Sequence, residues 1–331
     1  MKDEAFIEIV AKLPESRRVE AGRTFLDFDV TDFLGQSELR DFQEQTGLSR
    51  SPVTLVVPRQ SSNDTTQQAS HNRVVVAFLH GFGGSRGSWG LGGGVRSREK
   101  SFVERILHSV EAMGKEAVGL VLAGLGGDGG SVDGAALKLG LTPEHYSHQL
   151  HHVLRYLNLY DCGRIIGIGH SLGASALWEF AGQGFTLGVD LASPPERKPA
   201  LSLVSISPVR GLADSSFLRA GCRVAGQGLH LILRPVLRVW RFSSRRVWDL
   251  MGMASVLKGL AQQRPFEASL EGIAGLVLVG QRDWIARRGL RLGLQRSGCT
   301  WPIAQLPGLG HNLLWHPATV SALVSYMPML V

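Results

Sequence analysis

Three side chains far apart in the chain are of the types needed to cleave an acyl bond: Ser171, Asp283 and His311. A serine hydroxyl is a weak nucleophile until an imidazole takes its proton, and a carboxylate must hold that imidazole in the right tautomer. The tetrahedral oxyanion that forms then needs backbone N–H donors aimed at it. Ser171 lies in Gly169-His170-Ser171-Leu172-Gly173, between the apolar run Arg164-Ile165-Ile166-Gly167-Ile168 and the helix-compatible stretch Ala174–Phe180. A serine in a tight strand-to-helix turn has its hydroxyl lifted off the sheet edge, and the turn demands small neighbours. The following helix points free N–H groups and the positive end of its dipole at that hydroxyl. In a chain with 41 glycines the five-residue string arises by chance, so the strand–turn–helix context carries the reading.

The partners are expected at the ends of other strands. Asp283 stands just past the apolar run Gly275–Val279, and His311 sits among glycines in Gly308-Leu309-Gly310-His311-Asn312, ahead of the last helix. The oxyanion donors are expected to be the amide of Leu172 and that of Phe82, in the turn Phe78-Leu79-His80-Gly81-Phe82-Gly83-Gly84. Gly81 and His170 are set beside them as substrate-binding positions, with His170 either packed against the elbow or lining the pocket. Plainer readings compete. Asp283 suits an N-cap for a helix starting at Trp284. Asp190 and Asp214 flank the preceding strand as rival acids, and His316 is a rival base. His80 is expected to bond backbone and hold its turn.

These residues need a scaffold that brings strand ends together. Pro52–Pro58, Arg73–Leu79, Ala117–Ala123, Arg164–Ile168, Leu201–Ile206, Gly275–Val279 and Trp301–Leu306 read as strands. Ser37–Thr46 is a short amphipathic piece, and Arg98–Met113, Pro143–Leu157, the stretch after Ser171, Trp284–Leu294 and Pro317–Met327 read as helices. Near-continuous apolar strands alternating with helices predict an α/β domain with a mostly parallel sheet covered on both faces. Arg59–Asn72 is a polar loop, and residues 207–270 carry no strand signal and form a helical insertion in the position of a lid. Residues 51–331 are assigned to the domain, and 1–50 to an N-terminal extension of open role.

Composition excludes several classes. The 331 residues, 44% hydrophobic, suffice for one large core, and no apolar run approaches the roughly 18–20 residues that span a bilayer. Met1-Lys2-Asp3-Glu4 has no apolar signal core, and three cysteines are too few for a disulfide framework, so a cytoplasmic, reducing location is expected. The net charge of +7 is concentrated: residues 210–248 hold eight arginines and one acid, Asp214. Arg234, Arg238, Arg241 and Arg245 recur at helical spacing opposite an apolar face. Three readings stay open: arginines facing water on a lid helix, contact with an anionic membrane surface, or capture of a substrate anion by Arg234 and Arg238. Nucleic acid is not expected as a partner. Gly124-x-Gly126-x-x-Gly129 resembles a dinucleotide fingerprint but is followed by glycine-broken sequence, so no cofactor is assigned. His145, His148, His151 and His152 share a helix at spacings that could seat a metal, and a solvated helix face is the preferred account.

The His80-Gly81-Phe82-Gly83 turn, the Gly169–Gly173 elbow, Gly280-x-x-Asp283 and Gly310-His311 together resemble the α/β-hydrolase superfamily over about residues 52–331. The resemblance implies a three-layer α/β fold, a Ser171–His311–Asp283 triad and a small-molecule acyl substrate. Within the superfamily, His80-Gly81-Phe82-x-Gly84 and Gly310-His311-Asn312 with Pro317-Ala318-x-Val320 are similar to the small lyase of menaquinone biosynthesis, which eliminates pyruvate from an anionic substrate. His170 departs from that lyase's tyrosine, and Ala123–Ser131 replaces the superfamily's usual Asp-x-Pro-Gly-His-Gly-x-Ser. A serine hydrolase of carboxylic esters or thioesters, such a lyase, and a non-catalytic receptor that kept the fold are the three functions considered.

Overall fold

The computed structural model describes residues 2–13, 17–20, 22–58, 72–81, 84, 86–91, 101–124, 140–182, 199–209, 225, 254–261, 269–283, 285–286, 290, 294–314 and 316–331. Nine strands form one sheet in the order β1-β2-β3-β5-β4-β6-β7-β8-β9. They are β1 (Arg17–Glu20), β2 (Arg23–Asp29), β3 (Pro52–Pro58), β4 (Arg73–Leu79), β5 (Glu116–Leu122), β6 (Arg164–His170), β7 (Ala200–Ile206), β8 (Ala274–Gly280) and β9 (Ile303–Leu306). β1 to β3 are antiparallel, and β3 pairs antiparallel with β5; from β5 to β9 every pairing is parallel. Helices of the described residues include α1 (Lys2–Lys12), α2 (Gln36–Thr46), α3 (Phe102–Glu111), α4 (Pro143–Tyr156), α5 (Leu172–Gly182) and α6 (Pro317–Leu330).

The continuous apolar strands have the burial that such runs imply. All seven residues of β4 are buried, because a parallel strand inside a three-layer fold meets helices on both faces. Alternation divides its side chains: Val75, Ala77 and Leu79 join a core with α2, α4 and α5, and Val74, Val76 and Phe78 join a core with α3 and α6. The helix expected over Arg98–Met113 is shorter in its described part. It starts at Phe102 because Ser101 caps it, with the Ser101 hydroxyl on the Glu104 N–H and the Glu104 carboxylate on the Ser101 N–H.

The sheet runs straight through the domain boundary expected near residue 50. β2 pairs with β3 over Arg23–Asp29, and Asp29 accepts from the Ser51 N–H at 2.9 Å and from Arg50 Nε at 2.9 Å. Phe6 of α1 and Phe42 of α2 are buried in the first of the two cores. Residues 17–46 therefore supply two strands and a helix of the domain itself.

Of the insertion expected at 207–270, one described stretch packs into the core. Residues 254–261 are helical, with Val256 and Leu260 buried among the residues that pack on α4 and α5. Arg234 and Arg238, with Arg241 and Arg245, lie outside the described residues, as do Gly126 and Gly129 of the glycine fingerprint.

Candidate active site

Ser171 is the residue directly after β6 and directly before α5. Its φ is 53°, a left-handed conformation that costs a non-glycine residue about 1–3 kcal/mol and persists where surroundings enforce it. Here the Ser171 N–H donates to the Ile206 carbonyl at 2.8 Å, continuing the β6–β7 ladder past its last pair. The flanking glycines are required by close approach. A Cβ on Gly173 would fall on the Leu79 carbonyl of β4, and one on Gly169 would lie 2.5 Å from the Ala174 nitrogen. Leu172 opens α5, so its N–H belongs to the first turn, which has no intrahelical acceptor. Phe82, the other expected oxyanion donor, lies outside the described residues. Gly81 is described, and a Cβ there would come within 2.8 Å of the Ser171 Cβ, so the turn after β4 rests directly on the elbow.

His311 reaches this elbow from the loop after β9. Its Nε2 is 2.9 Å from the Ser171 hydroxyl, and its Nδ1 is 3.0 Å from Asp283 Oδ2. An ionised carboxylate only accepts, so Nδ1 carries the proton and Nε2 presents its lone pair to the serine. The two readings of Asp283 are satisfied together, on separate oxygens. Oδ2 faces His311, while Oδ1 accepts from the Ile285 and Ala286 N–H groups at 3.1 and 3.0 Å, as an N-cap does. Burial pushes the Asp283 carboxyl upward. The His311 hydrogen bond, the Ala286 N–H and the Ser207 hydroxyl outweigh it, and the group is held below its ordinary 3.8.

The loops carrying Asp283 and His311 are tied to each other. Arg282 N–H donates to the Leu309 carbonyl at 2.8 Å, and Gly308 N–H to Gln281 Oε1 at 3.2 Å. The spacing of His311 from Asp283 is thus set by backbone as well as by the side-chain bond.

His170 and Ser207 complete the surroundings. His170 is buried, its ring 5.4 Å from that of His311, with Nε2 3.1 Å from the His311 carbonyl. Burial drives its pKa down to about 4. Ser207, which sequence reading passed over, follows β7 as Ser171 follows β6. Its φ is 48°, its N–H donates to the Leu278 carbonyl at 2.8 Å, and it is fully buried. Its hydroxyl lowers Asp283 from close by while falling short of full hydrogen-bond geometry. Its place follows from the sheet register, in which Ile206 pairs with His170 and so sets Ser207 next to the elbow.

The rival residues have other work. His316 caps α6, its Nδ1 accepting from the Ala318 N–H at 3.2 Å. His80 donates through Nδ1 to the Gly81 carbonyl at 2.9 Å. Asp190 and Asp214 lie outside the described residues. The four histidines of α4 do not form a solvated face. All are partly buried and partnered: His145 with Thr142, His148 with Glu144, His151 with Tyr160 at 2.7 Å and His152 with Gln45 at 3.1 Å. Among the described residues no group of histidine, cysteine and acid is arranged to hold a metal. A groove of about 480 Å³ between α3 and α6, lined by Arg105, His108, Met113, Val324, Met327 and Pro328, is remote from this site. Arg164, the first residue of β6, bonds the Leu330 carbonyl at 3.1 Å, so the end of α6 lies a full strand, about 20 Å, from Ser171.

With the geometry in place, comparison with known proteins gives the same architecture. Residues 76–323 match a family described as the Alpha/beta hydrolase family. The fold is similar to that of a thermophilic esterase from Thermogutta terrifontis, at 15% identity and TM-score 0.52 over 86% of this chain and 96% of that one. It is also similar to an Agrobacterium vitis S4 protein designated a hydrolase, at 12% identity and TM-score 0.51 over 85% and 94%. No curated protein matches the chain. No helix among the described residues is long and apolar enough to cross a membrane.

Proposed function

The chain belongs to the alpha/beta hydrolase family, and from that premise we propose that it is a serine hydrolase cleaving a carboxylic ester or thioester through an acyl-enzyme. The observation that carries the reading is the unbroken hydrogen-bonded line Ser171 Oγ–His311–Asp283, at 2.9 and 3.0 Å, ending on a serine held at φ 53°. His311 Nε2 takes the Ser171 proton as Oγ attacks the acyl carbon, and Asp283 stabilises the imidazolium. The Leu172 N–H, at the positive end of α5, and an amide of the turn after His80 receive the oxyanion. His311 then protonates the departing alcohol or thiol. A water deprotonated by the same nitrogen attacks the acyl carbon, and the acid leaves with Ser171 regenerated.

No step needs a cofactor. The pyruvate-eliminating alternative requires a cation facing the site, and it draws no support from the described residues. The non-catalytic alternative is disfavoured by a triad in bonding order. The basic segment with Arg234 and Arg238 remains our proposed surface for an anionic substrate group or an anionic membrane.

The test is covalent labelling with a fluorophosphonate, which reacts with an activated serine. The wild type should label and turn over p-nitrophenyl acyl esters, and Ser171→Ala should do neither. Equal labelling of both proteins would refute the assignment.

A further inference from the structure

His170 occupies the variable position of the elbow, where a side chain pointing into the pocket would contact substrate. The ring of His170 is packed against protein instead. Only 8% of it is exposed, and its ring lies between the turn after β4 and the His311 loop. A Cβ on Gly81 would come within 3.0 Å of His170 Nδ1, while Nε2 lies 3.1 Å from the His311 carbonyl. A carbonyl only accepts, so Nε2 carries the hydrogen. That carbonyl also takes the Leu313 N–H at 3.2 Å, and its two lone pairs accommodate both donors. The Leu313 bond is local to the loop. The His170 bond is the one that ties the loop to the strand bearing the nucleophile.

We propose that His170 is a positioning residue, its Nε2–H anchoring the backbone of His311 to the nucleophile elbow so that the imidazole stays within reach of Ser171. The elbow and the base loop are 140 residues apart in sequence, and the direct bond between Ser171 and His311, at 2.9 Å, must break and re-form in each turnover. During the acyl-enzyme stage Ser171 has no proton to share. The His170 anchor persists through that stage and keeps Nε2 over the acyl carbon for the attacking water. At neutral pH the His170 ring is uncharged, since burial holds its pKa near 4, so the anchor is constant over the working range.

The proposal rests on the serine-hydrolase reading, and the two are tested separately. Gln and Met have similar length, but only Gln can place an N–H where Nε2 stands. Fluorophosphonate labelling rate, kcat, KM and melting temperature are compared for wild type, His170→Gln and His170→Met. A displacement of the base of this kind costs up to about 100-fold. His170→Met should lose about 10- to 100-fold in kcat and labelling rate with KM within about threefold, and His170→Gln should recover most of the loss. Equal rates for the Met variant and wild type would overturn the anchor, as would equal losses in both variants. Should His170→Met not fold, His170→Leu takes its place as the variant without a donor. Failure of the wild type itself to label would instead sink the serine-hydrolase reading.

Discussion

Asp283 does two jobs with two oxygens, and substitution can separate them. Asparagine keeps an oxygen to cap Ile285 and Ala286 but offers its amide to His311, which turns the imidazole to the wrong tautomer for taking the Ser171 proton. Asp283→Asn should therefore lose about 10³- to 10⁴-fold in kcat with a nearly unchanged melting temperature. Asp283→Ala should lose comparable activity and, with the cap gone, about 0.5–2 kcal/mol of stability as well. Steady-state kinetics beside thermal melts decide it, and an Asn variant of near-wild-type kcat would mean the carboxylate only caps. Ser171, Asp283 and His311 are identifiable because each follows a strand with little chain between, so position along the sequence nearly fixes position in space. Ser207 was invisible because a serine after a strand carries no mark of what it faces.

At the scale of elements, α4 shows how a helix can read as one thing and be another. Its histidines have the spacing of a metal site or a wet face, but α2 covers His152 and the Tyr160 turn covers His151, and covering desolvates the rings. His151 and His152 are driven from the ordinary 6.5 to about 4, first by burial and then by neighbouring positive charge. The sign of the pH effect follows. Between pH 6.5 and 4 the unfolded chain takes up protons that the folded chain refuses, so stability falls as pH is lowered through that window. Below about 4 these two groups add no further slope, and the Asp283 carboxylate, held below 3.8, begins to lose its contribution. His151→Gln with His152→Gln should flatten the decline of melting temperature from pH 6.5 to 4, leaving the part due to His145, His148 and His170, whose pKa values burial also lowers. An unaltered slope would show that the two rings titrate normally.

At the scale of the whole molecule, the described part of the first 46 residues belongs to the fold. Phe42 is fully buried and meets the His152 ring edge-on at 5.3 Å, pinning α2 to α4 beneath the sheet. Phe42→Ala should cost about 3–5 kcal/mol, as for other buried phenylalanines, and chemical denaturation should show it in a single shared transition. A cost under about 1 kcal/mol, or a separate early transition, would mean the N-terminal segment is an appendage. The sequence offered little warning here. Residues 17–46 alternate charged and apolar side chains, as an antiparallel strand and a half-exposed helix do, and that pattern is weaker than the unbroken apolar runs of β4 to β8.

What the sequence by itself determined is local and periodic: the buried parallel strands, the helices between them, and an elbow whose two glycines leave room for β4 and for the α5 backbone. From these the fold class follows, and with it the expectation that Ser171, Asp283 and His311 meet, since a parallel sheet gathers its strand ends along one edge. Tertiary structure alone decided what faces what. It split the oxygens of Asp283 between the Ala286 cap and His311, set His170 on the His311 backbone, and half-buried histidines that the helical pattern left in water. It also added two strands from the N-terminal residues. Each of these depends on contacts between segments distant in sequence, and no local pattern records which distant atom will remove water from a side chain.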